Sequence, residues 1–486
     1  MWKTSAAAVL IAAAVAAAWA ATASVTAADQ DASRVVDAAA GAMGIAGLSS
    51  ITFTGSAATG NFGQSRTISF GLASTAIRNY VRTIDFTTPA SHATGVTLPP
   101  VQRGQPPPPE PATLGVYDQS ITPANAAWAQ QLLIWTTPWG FLKGAAANHA
   151  TVTSRKINGV PYQVVTWSPA QKSPSGLPYK VSGDIDADHR VARVETWVEH
   201  PVLGDLHQEF FYSGYQSFAG LMVPAKISQK QVGMETFVAA ISGATANPPD
   251  LARLMTTPAP PPPPPLPPAA SEKLADGVYR ITGGYVSLAV EFKDHLVVLE
   301  GGQSEARGLA VIAETRRVFP GKKIKYVVTT HPHFDHAAGL APFVAEGVTI
   351  LADDNAKFFT EASLGTPRTL MGDAMARSRR KPKVEGVIEE MELKDETRSL
   401  RLYHVEKLEH SDSMLIAYLP KEKILFTADF NQPAPGQPVS PSIATLMANL
   451  DRLAIDFERH VTVHPPNPDR VLTKADLFDL AKRIGQ

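Results

Sequence analysis

Cysteine is absent from all 486 residues. Disulfides, a thiol nucleophile and every thiolate–metal site are therefore excluded. A surplus of one charge is also missing: 44 Lys and Arg face 45 Asp and Glu, for a net charge of −1. Nothing in that balance favours a polyanion or an anionic membrane surface, and no nucleic-acid partner is expected. Long apolar runs are scarce too. Only Ala6 to Ala21 is almost wholly apolar. It follows Lys3, is short and alanine-rich for a membrane span, and leads into small residues, so it reads as an export signal. Cleavage is expected after Ala23 or Ala27, giving a signal peptide over 1–27 and a mature chain without a stable membrane span. Its expected place is the periplasm or the medium of a bacterium.

Proline is plentiful, with 40 residues, and it is unevenly spread. The tract Pro258 to Pro268 should form stiff polyproline II and act as a spacer. It sets a linker over 256–270 between modules at 28–255 and 271–486. A second tract, Pro106 to Pro111, reads as an exposed loop within the first module. That module carries a helical prelude near Asp31 to Met43 and then strand signals. Ser154 to Ile157 and Tyr162 to Trp167 flank Asn158-Gly159, the signature of a hairpin with a primed turn. Tyr179 to Ile185, Val191 to Val198, His207 to Tyr215 and Leu221 to Gln231 continue as an antiparallel meander. Its rhythm vaguely resembles the sheet of periplasmic lipoprotein-carrier proteins. Such a sheet suits a scaffold, an apolar-ligand cradle, a platform for a polymer or the contact of a homodimer. Its histidines, His92, His149, His189, His200 and His207, lack ligand spacing and read as structural or exposed.

The second module alternates strand and helix. Its richest stretch is Thr330-His331-Pro332-His333-Phe334-Asp335-His336, with three imidazoles and a carboxylate in the pattern H-x-H-x-D-H. Neutral imidazole and carboxylate are both good ligands for zinc. The apolar run Ile324 to Thr329 reads as a buried strand that delivers this loop. In an extended turn His331 and His333 point one way, while Asp335 and His336 swing toward a neighbouring position. One loop can thus serve two metals about 3.5–4 Å apart, the spacing at which a pair clamps a hydrolytic transition state.

This pattern resembles the signature loop of the metallo-β-lactamase superfamily, over about Ser271 to Gln486. The resemblance implies an αββα sandwich, so the expected fold class is α/β: a β-rich N-terminal domain followed by that sandwich. It also implies a further His, a bridging Asp and a last His. His410 and Asp429 lie at the two ends of a hairpin built from Met414 to Tyr418 and Lys423 to Phe426, so they map to the first two. His404, inside the apolar run Leu400 to His404, is the rival and reads as structural. His464 ends the strand Val461 to Val463 and is preferred to His460 at that strand's start. The implied set is His331, His333 and His410 on one metal, and Asp335, His336 and His464 on the other, with Asp429 between them. Two zinc ions are expected, and iron or manganese in one position is compatible with the same donors. Glu300 stands where the family usually has Asp, Ala428 and Pro465 where it often has Gly.

The expected activity is hydrolysis of a small carbonyl substrate (lactam, lactone, ester or thioester) by a hydroxide shared between two metals, with Asp335 orienting it or moving its proton. A phosphodiesterase of the same fold and an exported carrier with structural metals are the alternatives. Phe358 to Val387, with Arg377, Arg379, Arg380, Lys381 and Lys383, is expected as a lid or a solvated basic face. Ser411, Asp412 and Ser413 flank the site without an assignable role.

Overall fold

A computed structural model describes residues 32–67, 71–101, 111, 113–122, 127–256, 265, 267–433 and 437–484. The expected signal segment and most of both proline tracts lie outside the described residues. The chain divides into two compact units. One draws on Met1–Phe62, Ser69–Glu199 and Asp205–Pro263; the other draws on Gly63–Ile68, His200–Gly204 and Pro264–Gln486. Among the described residues no helix is long and apolar enough to cross a membrane.

The first unit is built on an eleven-stranded antiparallel sheet. Its strands are β1 (Ser50–Gly60), β2 (Ser74–Asp85), β3 (Ala90–Thr97), β4 (Gly115–Ile121), β5 (Thr151–Ile157), β6 (Val160–Trp167), β7 (Val181–Ile185), β8 (Val191–His200), β9 (Gly204–Phe218), β10 (Leu221–Gln231) and β11 (Met234–Ala246). The order β4-β3-β2-β1-β11-β10-β9-β8-β7-β6-β5 is a meander interrupted once, where β1 meets β11. Asn158 and Gly159 both adopt positive φ, 51° and 83°, so the β5–β6 turn is of the primed kind. The helix Ala32–Met43 buries Val35, Val36, Ala39 and Met43 on one face. Strands β1 to β4 lie ahead of the strands expected from sequence. Strands β1 and β3 are rich in Ser, Thr, Ala and Gly, β2 spaces its buried Ile77, Tyr80 and Ile84 irregularly, and β4 is wholly exposed or half-buried, so no sustained apolar alternation marks them. Two more unexpected helices are Trp128–Trp135 and Pro138–Ala147, the second capped by Thr137 with proline at its first turn.

The second unit holds two sheets. The first contains β12 (Ala270–Ala275), β13 (Val278–Thr282), β14 (Ser287–Glu291), β15 (His295–Leu299), β16 (Lys323–Val328), β17 (Thr349–Asp353) and β18 (Val384–Val387), paired in that order. The second contains β19 (Glu390–Lys394), β20 (Ser399–His404), β21 (Leu415–Leu419), β22 (Ile424–Thr427), β23 (Arg459–Thr462) and β24 (Leu472–Thr473), also in order. Strands β21 and β22 are buried along their whole length, as continuous apolar runs must be when both faces are covered. One core spans the two sheets, with Leu288, Val290, Val297, Leu299 and Val328 from the first and Leu402, Ile416, Leu425, Phe426 and Val461 from the second. Each such side chain contributes about 1.5–3 kcal/mol of burial. Helices α1 (Glu305–Val318), α2 (Ala341–Glu346) and α3 (Asp354–Leu364) pack on the first sheet. Helices α4 (Ser442–Arg452) and α5 (Lys474–Ala481) insert Ile443, Leu446, Leu450, Leu477 and Leu480 into the core. The architecture is αββα, as expected. Ser304 caps α1 with Glu305 in the first turn and Arg316 and Arg317 in the last, which matches the helix dipole. Thr473 and Asp476 form a capping box on α5.

Candidate metal centre

Strand β16 ends at Val328, and the chain runs out through Thr329 to His333 before one helical turn, Phe334–Ala337. The extended turn expected over the whole motif is thus half strand-end and half helix. The helical turn separates Asp335 from His336 by about 100° of rotation, which swings them off the line of His331 and His333. Ala338–Leu340 separates this turn from α2. Gly339 permits the close return, because a Cβ there would stand 2.3 Å from the carbonyl oxygens of Gly301 and Gly302.

The seven residues named from sequence converge. Asp429 is the centre. Its Oδ2 lies 3.0 Å from His336 Nε2 and 3.5 Å from His331 Nε2; its Oδ1 lies 3.1 Å from His464 Nε2 and 3.6 Å from His410 Nε2. Asp335 Oδ2 is 3.6 Å from His336 Nε2. The rings of His331 and His333 are 4.4 Å apart, and those of His333 and His410 are 4.6 Å apart. Three overlapping groups can each hold a metal ion: His331, His333 and His410; His331, His336 and Asp429; and Asp335, His336 and His464. His331, His333 and His336 form the buried floor, at 1, 3 and 0 % exposure. The side chains of Asp335, His410 and His464, at 35, 30 and 24 %, form the open side.

Outer partners fix which nitrogen of each ring faces inward. His333 Nε2 meets the Ser65 carbonyl at 3.1 Å, so that nitrogen carries the proton and Nδ1 keeps its lone pair. Thr330 donates its hydroxyl to Glu300 Oε2 at 2.7 Å and accepts from His331 Nδ1 at 3.2 Å. His336 Nδ1 donates to the same Glu300 oxygen at 3.3 Å. One buried carboxylate, that of Glu300, therefore turns two imidazoles. The result is a set of buried atoms with no hydrogen-bond partner: His331 Nε2, His333 Nδ1, His410 Nε2 and Asp429 Oδ2. Such atoms are costly when left unpaired. Three neutral-imidazole lone pairs and a carboxylate oxygen, all facing one space, are the donor set a divalent cation needs.

The electrostatics agree. Burial pushes His331 well below the ordinary imidazole range, His333 down to about 4, and His410 downward as well. All three are neutral ligands at neutral pH. For His336 burial acts the same way, but Glu300 and Asp429 outweigh it and hold the ring up near about 10. Asp429 is held far below the carboxylate range, against its own burial, by His336 and His464. The centre thus carries ionised carboxylates among mostly neutral rings, a field that attracts a cation.

The rivals fall outside the cluster. His404 pairs with Asp353 at 2.6 Å, and His460 is buried against Thr427 Oγ1 at 2.8 Å. Phe358 to Val387 is not a free lid: it folds as α3, a turn and the helix Ala374–Ser378 before joining the sheet as β18. Arg368 in that turn is buried, pairs with Asp373 and donates to the carbonyls of Pro201 and Val202. His200 packs its ring against Phe334 at 4.7 Å, closer to the site than its sequence context indicates. In the first unit, Glu195, His207 and Glu209 also lie within ligand distance of one another. Arg193 bonds both of those carboxylates, at 2.8 and 2.9 Å, so the group reads as an ion-pair ladder.

Several site residues escaped the sequence reading. Tyr285 donates its hydroxyl to Asp335 Oδ2 at 2.7 Å and sets its ring 4.4 Å from that of His464. Gln64 donates to Asp335 Oδ1 at 2.6 Å. No local signal marks either one, since each is defined only by a distant partner.

Residues 281–458, in the C-terminal region, match the family described as the Metallo-beta-lactamase superfamily. Among solved structures, the chain is similar to the DIM-1 metallo-beta-lactamase (16% identity, TM-score 0.35, covering 45% of this chain and 97% of that one). It is also similar to a metallo-beta-lactamase from Pontibacter korlensis (17%, 0.36, 45% and 100%) and to FIM-1 from Pseudomonas aeruginosa in its mono-zinc form (17%, 0.35, 45% and 94%). No curated protein matches the chain. Members of this superfamily are mostly metal-dependent hydrolases, and the match supports that general class for the C-terminal region.

Proposed function

We propose that the protein is an exported zinc-dependent hydrolase of a small carbonyl substrate: a lactam, lactone, ester or thioester. The observation that carries this reading is the set of unpaired buried atoms, His331 Nε2, His333 Nδ1, His410 Nε2 and Asp429 Oδ2, directed at one space. His331, His333 and His410 would hold one metal, Asp335, His336 and His464 a second, with Asp429 serving both. When bound, the metals supply Lewis acidity and a nucleophile that is ionised at neutral pH. The chain supplies the rest. Glu300 and Thr330 hold the rings of His331 and His336 with their Nε2 atoms facing inward. Asp335 is an ionised carboxylate, held on both oxygens by Tyr285 and Gln64 and partly open to solvent, and is placed to accept a proton during attack. The buried floor excludes water from one side, and the substrate approaches over Asp335, His410 and His464.

The test is a screen of the purified mature chain on lactam, lactone, ester, thioester and phosphodiester substrates, with metal content measured alongside. The expected result is about two zinc ions per chain, activity lost to a chelator and restored by zinc, and a fall in kcat/KM for His333→Ala beyond the roughly 10–100-fold typical of an outer-shell change. Full activity with less than one metal per chain, or an unchanged rate in His333→Ala, refutes the reading. Turnover of the phosphodiester alone would move the substrate class. The export component is checked by N-terminal sequencing and intact mass of the mature protein. The expected new N-terminus is Ser24 or Ala28, and a chain still beginning at Met1 would remove export from the reading.

A further inference from the structure

The short strap between β1 and β2, residues Gly63 to Arg66, touches one or other of two ligand-bearing loops at every step. The Gly63 carbonyl accepts from the Phe334 amide at 3.0 Å. Gln64 Nε2 donates to Asp335 Oδ1 at 2.6 Å, across 271 positions of sequence. The Ser65 carbonyl accepts from His333 Nε2 at 3.1 Å, across 268 positions. The Arg66 carbonyl accepts from the amide of Asp412, two residues past His410, at 2.8 Å. The motif loop and the His410 loop are thus both tied to one four-residue segment encoded far upstream of the superfamily match.

We propose that this strap is a positioning element of the metal centre, so that the ligand set of residues 331–464 is complete only with residues 63–66 in place. The inference rests on the metal-hydrolase reading above. Two of its contacts act on ligand side chains directly. Asp335 has two oxygens; Tyr285 holds one and Gln64 the other, so the carboxylate plane is fixed between two donors. Without Gln64, Asp335 can rotate about its last torsion and leave the group it forms with His336 and His464. Without the Ser65 carbonyl, neither tautomer of His333 is preferred, and the inward Nδ1 lone pair is present only part of the time. Outer partners of this kind typically govern metal affinity by about 10–100-fold. The strap is also tightly seated. Gly63 has φ +84°, and a Cβ there would stand 2.1 Å from the Phe334 ring, so only glycine permits this approach.

The test uses the full chain and three variants. Gln64→Ala and the sterically matched Gln64→Met remove the donor, and Gly63→Ala forces the strap off Phe334. Zinc affinity is measured by competition with a chromophoric chelator, and the visible spectrum of the cobalt(II)-loaded protein reports on ligand geometry. The expected result is an uptake of the second zinc weakened by about 10–100-fold in both Gln64 variants, an altered cobalt spectrum, and a fall in kcat larger than any change in KM. Gly63→Ala should weaken both zinc ions. Far-ultraviolet dichroism establishes that each variant is folded; should Gly63→Ala fail to fold, the Gln64 pair still decides. Wild-type zinc affinity and an unchanged cobalt spectrum in both Gln64 variants overturn the strap's role while leaving the hydrolase reading intact. Wild-type behaviour in Gln64→Met with loss in Gln64→Ala also overturns it, because packing rather than donation would then be at work. A wild-type chain that takes up no metal overturns both.

Discussion

Arg307→Met should be among the most damaging single changes in the second unit, although Arg307 touches no metal ligand. Its side chain is only 2% exposed. Nη1 donates to the Thr282 carbonyl at 2.8 Å, Nη2 to those of Ile281 and Tyr285 at 3.0 Å each, and Nε again to Tyr285 at 3.2 Å. One guanidinium therefore closes the end of β13 onto the loop that carries Tyr285. Burial pulls its pKa down to about 10, so it remains a cation at neutral pH. Methionine keeps much of the apolar stem and removes every donor. Each carbonyl left without a partner costs about 1–3 kcal/mol, or roughly 3–9 for three. Relief from burying a charge offsets part of that, and a net loss of about 3–5 kcal/mol is expected. For a unit of this size each kcal/mol lowers Tm by about 2–4 °C, so the drop should be about 6–20 °C. Calorimetry on the full chain, with urea unfolding as a second measure, reads it directly. Zinc affinity should fall as well, because Tyr285 would lose the anchor that presents its hydroxyl to Asp335. Arg307→Lys should recover only part of the loss, since one ammonium cannot serve three carbonyls in the fork geometry of arginine. A stability within about 1 kcal/mol of wild type would refute the reasoning, because it would mean the three carbonyls find other partners at no cost.

Two further outcomes follow from other parts of the fold. The hydrogen bond and charge of Asp353 hold His404 above its ordinary imidazole value, with burial opposing. Its contribution, on the order of 1 kcal/mol, is therefore complete below about pH 6.5 and fades as the pH rises through the folded-state value. The stability gap between wild type and His404→Gln should shrink from acid to alkaline pH, about 5.5 to 8.5, in urea titrations; a gap that widens would reverse the assignment. Gly339→Ala should cost about 1–3 kcal/mol from the clash with the Gly301 and Gly302 carbonyls alone, since both are backbone and cannot rotate away. An unchanged Tm for that variant would show that the α2 approach tolerates a wider spacing.

The parts of the site that were legible in the sequence share one property: their signals are local. His331 to His336 announces itself because four donors crowd six positions after an apolar strand. His410 and Asp429 could be paired because a hairpin, here β21 and β22, returns the chain to where it began. His464 could be chosen over His460 because the ends of one strand point to opposite ends of a sheet. The parts that were illegible are defined by partners far along the chain. Gln64 is an ordinary polar residue in a loop until Asp335 is beside it. Tyr285 follows two glycines and gives no sign of its contact with His464. Strands β1 to β4 were missed for a different reason. Small and hydroxylated side chains dominate β1 and β3, β2 spaces its buried apolar residues irregularly and β4 is open to solvent, so none shows the sustained apolar alternation on which strand reading depends.

The two sheets of the second unit build the centre by the same device used twice. Strand β15 runs parallel to β16, and β22 runs parallel to β23. Leu299 pairs with Val328 at the end of the first pair, and Thr427 with Thr462 at the end of the second. Beyond each pair, one strand delivers a carboxylate and its neighbour an imidazole: Glu300 with His331, and Asp429 with His464. Both acids adopt left-handed backbone, with φ of 69° and 61°. That conformation is uncommon for residues other than glycine, and it turns the chain sharply at the strand end. In both cases a threonine two residues before the histidine donates its hydroxyl to the histidine carbonyl: Thr329 to His331 at 3.3 Å and Thr462 to His464 at 2.7 Å. The carboxyl ends of parallel strands are where α/β folds place their ligands. Here two such ends face each other, and each is incomplete alone. The first supplies a buried carboxylate that orients rings through one oxygen, and the second supplies one that faces four ring nitrogens. The difference between Glu300 and Asp429 follows from what surrounds them. Glu300 Oε2 is engaged by Thr330 and His336 from behind the rings, whereas Asp429 lies on their open side, where His331, His336, His410 and His464 all point. Exchanging the roles of the two acids would require moving the rings, not the acids, which is why the longer Glu at position 300 is compatible with an intact donor set.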